Sequence, residues 1–260
     1  MEAKRKTGWH EWADQTKSLY RGCTNGCRYC WARANDLRFG RVATAEEWSK
    51  PVLIEREAQR RWGRCQGVIG FPGTHDITPE NVEACEKYLI GMLGAGNRVL
   101  IDTKPHIVVV ARLCQSLRRW RSQVEWRMTM TGHDDRLRSY WEPNAPSILM
   151  RRTALWHALQ VDYRVSVNME PMIDGMADVE SDARSAVEYG AETVWIGLMN
   201  RVRQRVRIET VNDEREVERI ETLQKDSEVM NLVANLGDVP QVRWKDSISA
   251  VIARYQQGEG

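Results

Sequence analysis

Between residues 17 and 200, short apolar runs alternate with segments of helical periodicity, and this alternation limits the fold more than any other feature. The runs are Lys17-Ser18-Leu19-Tyr20, Gly67–Phe71, Val99–Ile101, Val124–Met130, Tyr163–Val167 and Thr193–Gly197. Helical patterns follow at Trp31–Leu37, Ile54–Trp62, Thr78–Leu93, Ile107–Leu117, Ser147–Leu159 and Val179–Tyr189. Strands alternating with amphipathic helices predict a parallel sheet covered by helices. Right-handed crossovers curl such a sheet. The expected fold is α/β: a partial (β/α)6 barrel of the TIM type over 17–200. Residues 1–16 read as an N-terminal lead-in. Residues 201–260 read as a C-terminal helical extension packed on the barrel. Polar and glycine residues collect after the strands, at the rim where barrel sites lie.

Directly after the first run comes Cys23-Thr24-Asn25-Gly26-Cys27-Arg28-Tyr29-Cys30, three cysteines at C-x3-C-x2-C spacing. Gly22 and Gly26 let the backbone turn so that the sulfurs converge. Thiolates so placed suit an iron–sulfur cluster. A [4Fe–4S] cube has four irons, so Cys23, Cys27 and Cys30 would leave one open to a non-protein ligand. A structural zinc site wants four ligands, and a histidine such as His10 would have to complete it. An odd trio in one loop does not make a disulfide framework. Cys65, Cys85 and Cys114 are isolated, the last two on helical apolar faces.

Apolar residues make up 42% of the 260 residues, enough for a sizeable core. No run approaches the roughly 20 residues of a membrane span. No apolar stretch follows Met1–Lys6, so the expected location is the cytoplasm. A net charge of +2 does not demand a nucleic-acid partner. Basic–aromatic clusters do occur at 60–64 and 118–121, with a basic run at 201–207. They suit phosphate contact with base stacking, or simply the C-terminal ends of helices.

The cysteine loop, with Tyr29 supplying the aromatic of C-x3-C-x-aromatic-C, resembles that of the radical S-adenosylmethionine (SAM) superfamily. Further stretches resemble the branch containing spore photoproduct lyase. These are Tyr20-Arg21-Gly22-Cys23, Tyr29-Cys30-Trp31-Ala32, Thr103-Lys104, Trp141–Ser147 with Arg151-Arg152, and Met169-Glu170-Pro171-Met172. The resemblance implies a [4Fe–4S] cluster whose open iron is chelated by SAM. It also implies an electron donor such as flavodoxin or ferredoxin. It places Lys104 on the SAM carboxylate and a hydroxyl, Thr129 or else Thr131, on its ribose or amino acid. Gly73-Thr74 stand where relatives carry a glycine-rich segment facing the SAM amino group, although the usual Gly-Gly-Glu is lacking here. Tyr29 and Trp31 are adenine flanks. Arg151 is expected to reach SAM or Glu170. Glu170 and Asn200 are rim residues grouped with the cofactor-binding set, Glu170 as a substrate ligand or a partner for Arg, with His75, His133 and Asp134-Asp135 as loop candidates for substrate contact.

The expected function is therefore reductive cleavage of SAM to a 5′-deoxyadenosyl radical that abstracts a substrate hydrogen. The leading substrate class is a nucleobase or nucleotide, in repair or modification such as phage DNA base hypermodification. Alternatives are a peptide or small-molecule substrate, or a non-catalytic metal-binding or DNA-binding accessory protein.

Overall fold

The computed structural model describes residues 7–258. A 3-10 turn at Gly8–Glu11 leads into β1 (Gln15–Thr16), β2 (Tyr20–Arg21), the cysteine loop, α1 (Trp31–Arg38), α2 (Ala45–Trp48), β3 (Val52–Leu53) and α3 (Glu55–Ala58). Then follow β4 (Val68–Phe71), α4 (Val82–Gly94), β5 (Arg98–Thr103), α5 (Ile107–Ser116), β6 (Val124–Thr129), α6 (Asp135–Trp141), α7 (Ile148–Gln160), β7 (Arg164–Met169), α8 (Met176–Glu188) and β8 (Thr193–Ile196). The chain closes with α9 (Val202–Arg205), α10 (Val211–Leu223), α11 (Asp226–Asn235), β9 (Val242–Trp244) and α12 (Asp246–Gln256).

Seven parallel strands among the described residues form one sheet in the order β1-β4-β5-β6-β7-β8-β9. Each strand lies beside the next in chain order, so the sheet curls into a half-barrel of the TIM type. β2 and β3 stand apart as an antiparallel ribbon, with Tyr20 opposite Leu53.

The expected partial barrel is present, with one strand more than the six expected. The seventh, β9, lies in the region read as helical. Its three residues, with Arg243 at the centre and Lys245 directly after, are too few and too charged to signal a strand. The first strand is also displaced. Gln15 and Thr16 pair with Ile69 and Gly70, whereas Lys17–Tyr20, the apolar-looking run, leaves the sheet for the ribbon. The helical pattern at Ile54–Trp62 yields only the four-residue α3. There Glu57 is held by Arg60 and Tyr88, at 2.7 Å from each, and the chain then runs on without helix.

The strands show why the barrel interior is polar. In β6, Val124, Trp126 and Met128 belong to the core beneath the helices, and Glu125, Arg127 and Thr129 alternate to the other face. In β7, Val165, Val167 and Met169 alternate in the same way with Ser166 and Asn168. One face thus makes the core and the other lines a lumen. The lead-in packs into that lumen. A Cβ on Gly70 would lie 2.6 Å from the Trp9 ring, so glycine is needed there. Trp12 meets Trp195 edge to face at 5.8 Å and lies under the Arg127 guanidinium at 4.4 Å. The outer strands β1 and β9 do not pair with each other. Fully buried Lys245 bridges the gap: its Nζ donates to the Gly8 carbonyl at 3.1 Å, pairs with Glu11, and sits 3.7 Å from the Trp12 ring centroid.

Candidate functional site

A cavity of about 1030 Å³ opens at the C-terminal ends of the strands, and Cys23, Cys27 and Cys30 all line it. The loop that carries them is shaped by two glycines and a cradle. Gly22 has φ +93°, and a Cβ there would fall 2.5 Å from the Trp48 carbonyl. Gly26, at φ +65°, packs against Pro143 and Asn144. The 141–144 stretch holds the loop by backbone contacts. Arg28 N–H donates to the Trp141 carbonyl at 2.8 Å. Asn144 donates from its backbone to Asn25 at 3.2 Å and from its side chain to Thr24 at 3.0 Å. Cys30 starts α1, its sulfur accepting from Arg33 N–H at 3.4 Å.

Beneath the loop lies a buried charge network centred on Glu142, which is wholly inaccessible to solvent. Its carboxylate accepts from the Tyr29 hydroxyl, from Thr131 Oγ1 at 2.8 Å and from the Arg151 guanidinium. Lys104 Nζ lies 3.9 Å away on one side and 3.7 Å from Asp76 on the other. Asp76 in turn accepts from Asn25 at 2.8 Å, and from Thr103 Oγ1 and Lys104 N–H at 2.7 Å each. The cysteine loop is thus tied to the sheet rim through two carboxylates and one lysine.

Burial alone would raise the Glu142 carboxyl, but Arg151, Lys104 and the donated hydrogen bonds override it and hold it down at about 2. Burial also opposes the charged form of Lys104. Cys27, Tyr29, Asp76 and Glu142 more than offset it, so the ammonium is held well above its usual range. Burial, then the Asp76 charge, pushes the Cys23 thiol up to about 12. Deeper in the lumen, burial pushes Asp102 up to about 6 and Glu170 up to about 7, against the opposing charges of Arg127 and Lys245.

Of the residues singled out in the sequence, Tyr29, Trp31, Gly73, Thr74, Lys104, Thr129, Glu170 and Asn200 line the same cavity as the three cysteines. Several are committed to other contacts. The Tyr29 hydroxyl serves Glu142. Gly73 N–H donates to Lys17 at 2.8 Å, and Thr74 Oγ1 to Ser18 Oγ at 2.9 Å. Thr131 and Arg151 line a separate, smaller crevice. Arg151 pairs with Glu142 and not with Glu170, because α7 starts beside the 142–146 stretch. Glu170 pairs instead with Lys245 at 3.6 Å. Arg152 meets Asp182 at the surface. His75 is buried, accepts Leu19 N–H at Nε2 and is pulled down to about 4 by burial, so it supports the fold. His133, paired with Asp182, lies outside the cavity lining, and Asp134 caps α6. Cys85 and Cys114 lie in the core.

Sequence reasoning missed Glu142 as an organising residue, along with Asp76, Asp102, Asn168 and Lys245. Glu142 sits in a stretch that had served only to mark resemblance. No group of three or more described His, Cys, Asp or Glu residues is gathered so as to hold a metal ion.

No family model matches the chain. An uncharacterised protein of Acidianus two-tailed virus is 26% identical over 192 residues, a match covering 67% of this chain and 63% of that protein, less than two thirds of its length. Among solved structures, spore photoproduct lyase with a dinucleoside spore photoproduct superposes with a TM-score of 0.55 at 14% identity, covering 87% of this chain and 74% of that one. The chain shares the fold of spore photoproduct lyase. A second spore photoproduct lyase structure, with bound AdoMet and the dinucleoside photoproduct, matches with a TM-score of 0.55 at 12% identity, covering 89% and 76%. In this fold the cysteine loop follows β2 and lines the same cavity as Lys104 and Thr129, so loop and strand ends face one chamber. No described helix is long and apolar enough to cross a membrane.

Proposed function

We propose that this chain is a radical SAM enzyme in which Cys23, Cys27 and Cys30 hold a [4Fe–4S] cluster and SAM completes its coordination. One observation carries the reading: three thiols from one short loop line a single cavity together with Lys104, a largely buried lysine on the rim of a half-barrel. The thiols suit a cluster better than zinc: a structural zinc site wants four protein ligands, whereas three thiolates leave one iron of a [4Fe–4S] cube open for SAM. When bound, the cluster and SAM supply a 5′-deoxyadenosyl radical that takes a hydrogen atom from substrate.

The chain's own residues bind and position. Lys104 presents an ammonium to the cavity between Asp76 and Glu142, suited to the SAM carboxylate. Thr129, buried at the end of β6, offers a hydroxyl to the ribose or amino acid, and Trp31 an exposed ring edge to adenine. Glu142, Tyr29 and Arg151 keep the loop in register with the rim. The cavity volume accommodates SAM with a second molecule. We take that molecule to be a nucleobase or nucleotide, on the strength of the fold shared with spore photoproduct lyase. The electron comes from an external one-electron donor such as flavodoxin or ferredoxin.

Anaerobic reconstitution with iron and sulfide, then dithionite and SAM, tests the reading. 5′-Deoxyadenosine should form with the parent chain and not with Cys27→Ala. Bound zinc, no visible chromophore and no cleavage would overturn it.

A further inference from the structure

The cavity is electrostatically two-ended. Its inner end carries Asp102 and Glu170. Its mouth carries Arg38, Arg201 and Arg205, all lining the opening. α1 lays Trp31, Asn35 and Arg38 along one face at helical spacing, and all three reach the cavity. α9 brings Arg201 and Arg205 to it from the C-terminal region. None of these three guanidiniums has a carboxylate within ion-pair distance among the described residues, although acids are at hand. Arg203, in the same turn as Arg205, is held by Glu214 at 2.7 Å and Glu221 at 2.8 Å. Arg205 is half-buried, and both burial and the like charge of Arg201 disfavour its charged form. Arg201 itself sits at φ 55°, an uncommon backbone state for a long side chain. Glu170 acts on Arg205 only from beyond ion-pair distance, so a half-buried cation beside another cation gains from a ligand that provides a close counter-charge.

We propose that Arg38, Arg201 and Arg205 form an oxyanion subsite that grips a phosphate or carboxylate borne by the substrate. The inference rests on reading this cavity as the substrate chamber. It also fixes orientation. The cations deeper in already have acids beside them, Lys245 paired with Glu170, so the anionic group stays with the unpaired guanidiniums at the mouth. The inner end takes a neutral head that both donates and accepts hydrogen bonds, because buried acceptors (Asp102 Oδ1, Asn168 Oδ1) and buried donors (Trp12 Nε1, Arg127 Nη1, Trp195 Nε1) lack partners in the lumen. The substrate class is an oxyanion-bearing molecule with a polar, hydrogen-bonding head.

Calorimetric titration of the reconstituted chain with inorganic pyrophosphate and with malonate, each with SAM present and no reductant, tests the subsite. Pyrophosphate and malonate separate a phosphate from a carboxylate source. Binding of at least one, weakened about tenfold or more in Arg201→Gln/Arg205→Gln and weakened also in Arg38→Gln, is expected. Should the double variant fail to fold, Arg38→Gln on the opposite wall carries the test. Failure of both anions to bind the parent, or binding unchanged in the variants, overturns the subsite. SAM cleavage on the same preparation separates the two readings. Cleavage without rim-dependent anion binding sinks the subsite alone. Anion binding without cleavage sinks the enzyme reading and leaves the subsite standing.

Discussion

Replacing Glu142 should cost more stability than replacing any exposed charge in the chain. Its carboxyl titrates at about 2 in the folded chain against 4.5 for an unperturbed glutamate. That difference corresponds to about 3 kcal/mol at neutral pH. The sign follows from the depressed value: the contribution is complete above the unfolded pKa and is lost as pH falls toward 2. Glu142→Ala removes the same interaction and strands the Arg151 guanidinium, whose side chain is 1% exposed; removing one partner of a buried pair costs about 3–5 kcal/mol in all. At roughly 2–4 °C per kcal/mol, the melting temperature should fall by about 6–20 °C. Urea unfolding followed by tryptophan fluorescence would measure it. Glu142→Gln should lose less than Glu142→Ala, and its gap from the parent should narrow as pH drops below 4.5. Glu142→Gln/Arg151→Met should recover part of the loss, because no buried charge is left unpaired. A cost below about 1 kcal/mol for Glu142→Ala, or a double variant as damaged as the sum of the singles, would refute the network reading.

Gly22→Ala should lower iron and sulfide bound per chain, since it combines a left-handed φ with a collision against the Trp48 carbonyl; metal analysis after reconstitution reads it. Cys65→Ser and Cys114→Ser should bind as much iron as the parent, because Cys65 lies in the loop before β4 and Cys114 in the core; a loss in either would place a ligand elsewhere. Glu170, raised to about 7 by burial, contributes stability below its unfolded pKa and loses it as pH rises through 7. Glu170→Gln should therefore be more stable than the parent at pH 8 and equal to it at pH 5, as urea titrations at the two values would show.

The parallel barrel was legible because apolar runs and amphipathic helices alternate regularly, and the core positions of β6 and β7 follow that pattern residue by residue. The cysteine trio was legible because its spacing is local. What escaped depends on distant contacts. β1 is two polar residues that become a strand only against Ile69 and Gly70. β9 becomes a strand only beside β8, which it meets across nearly fifty residues of intervening chain. Glu142 looks like an ordinary acid after a tryptophan until Tyr29, Thr131 and Arg151 converge on it from three separate segments. The use of Trp9, Trp12 and Trp195 to fill the lumen beside Gly70 and Arg127 likewise shows only once the strands are assembled.

The Lys245 contact with Gly8 and Glu11 joins positions more than 230 residues apart. Local folding can build every strand-to-strand step of the sheet before this joint exists, so closure belongs among the late events of assembly. No strand pairing joins β1 to β9, so on that side the wall of the chamber is fastened by a side chain where every other seam is fastened by backbone.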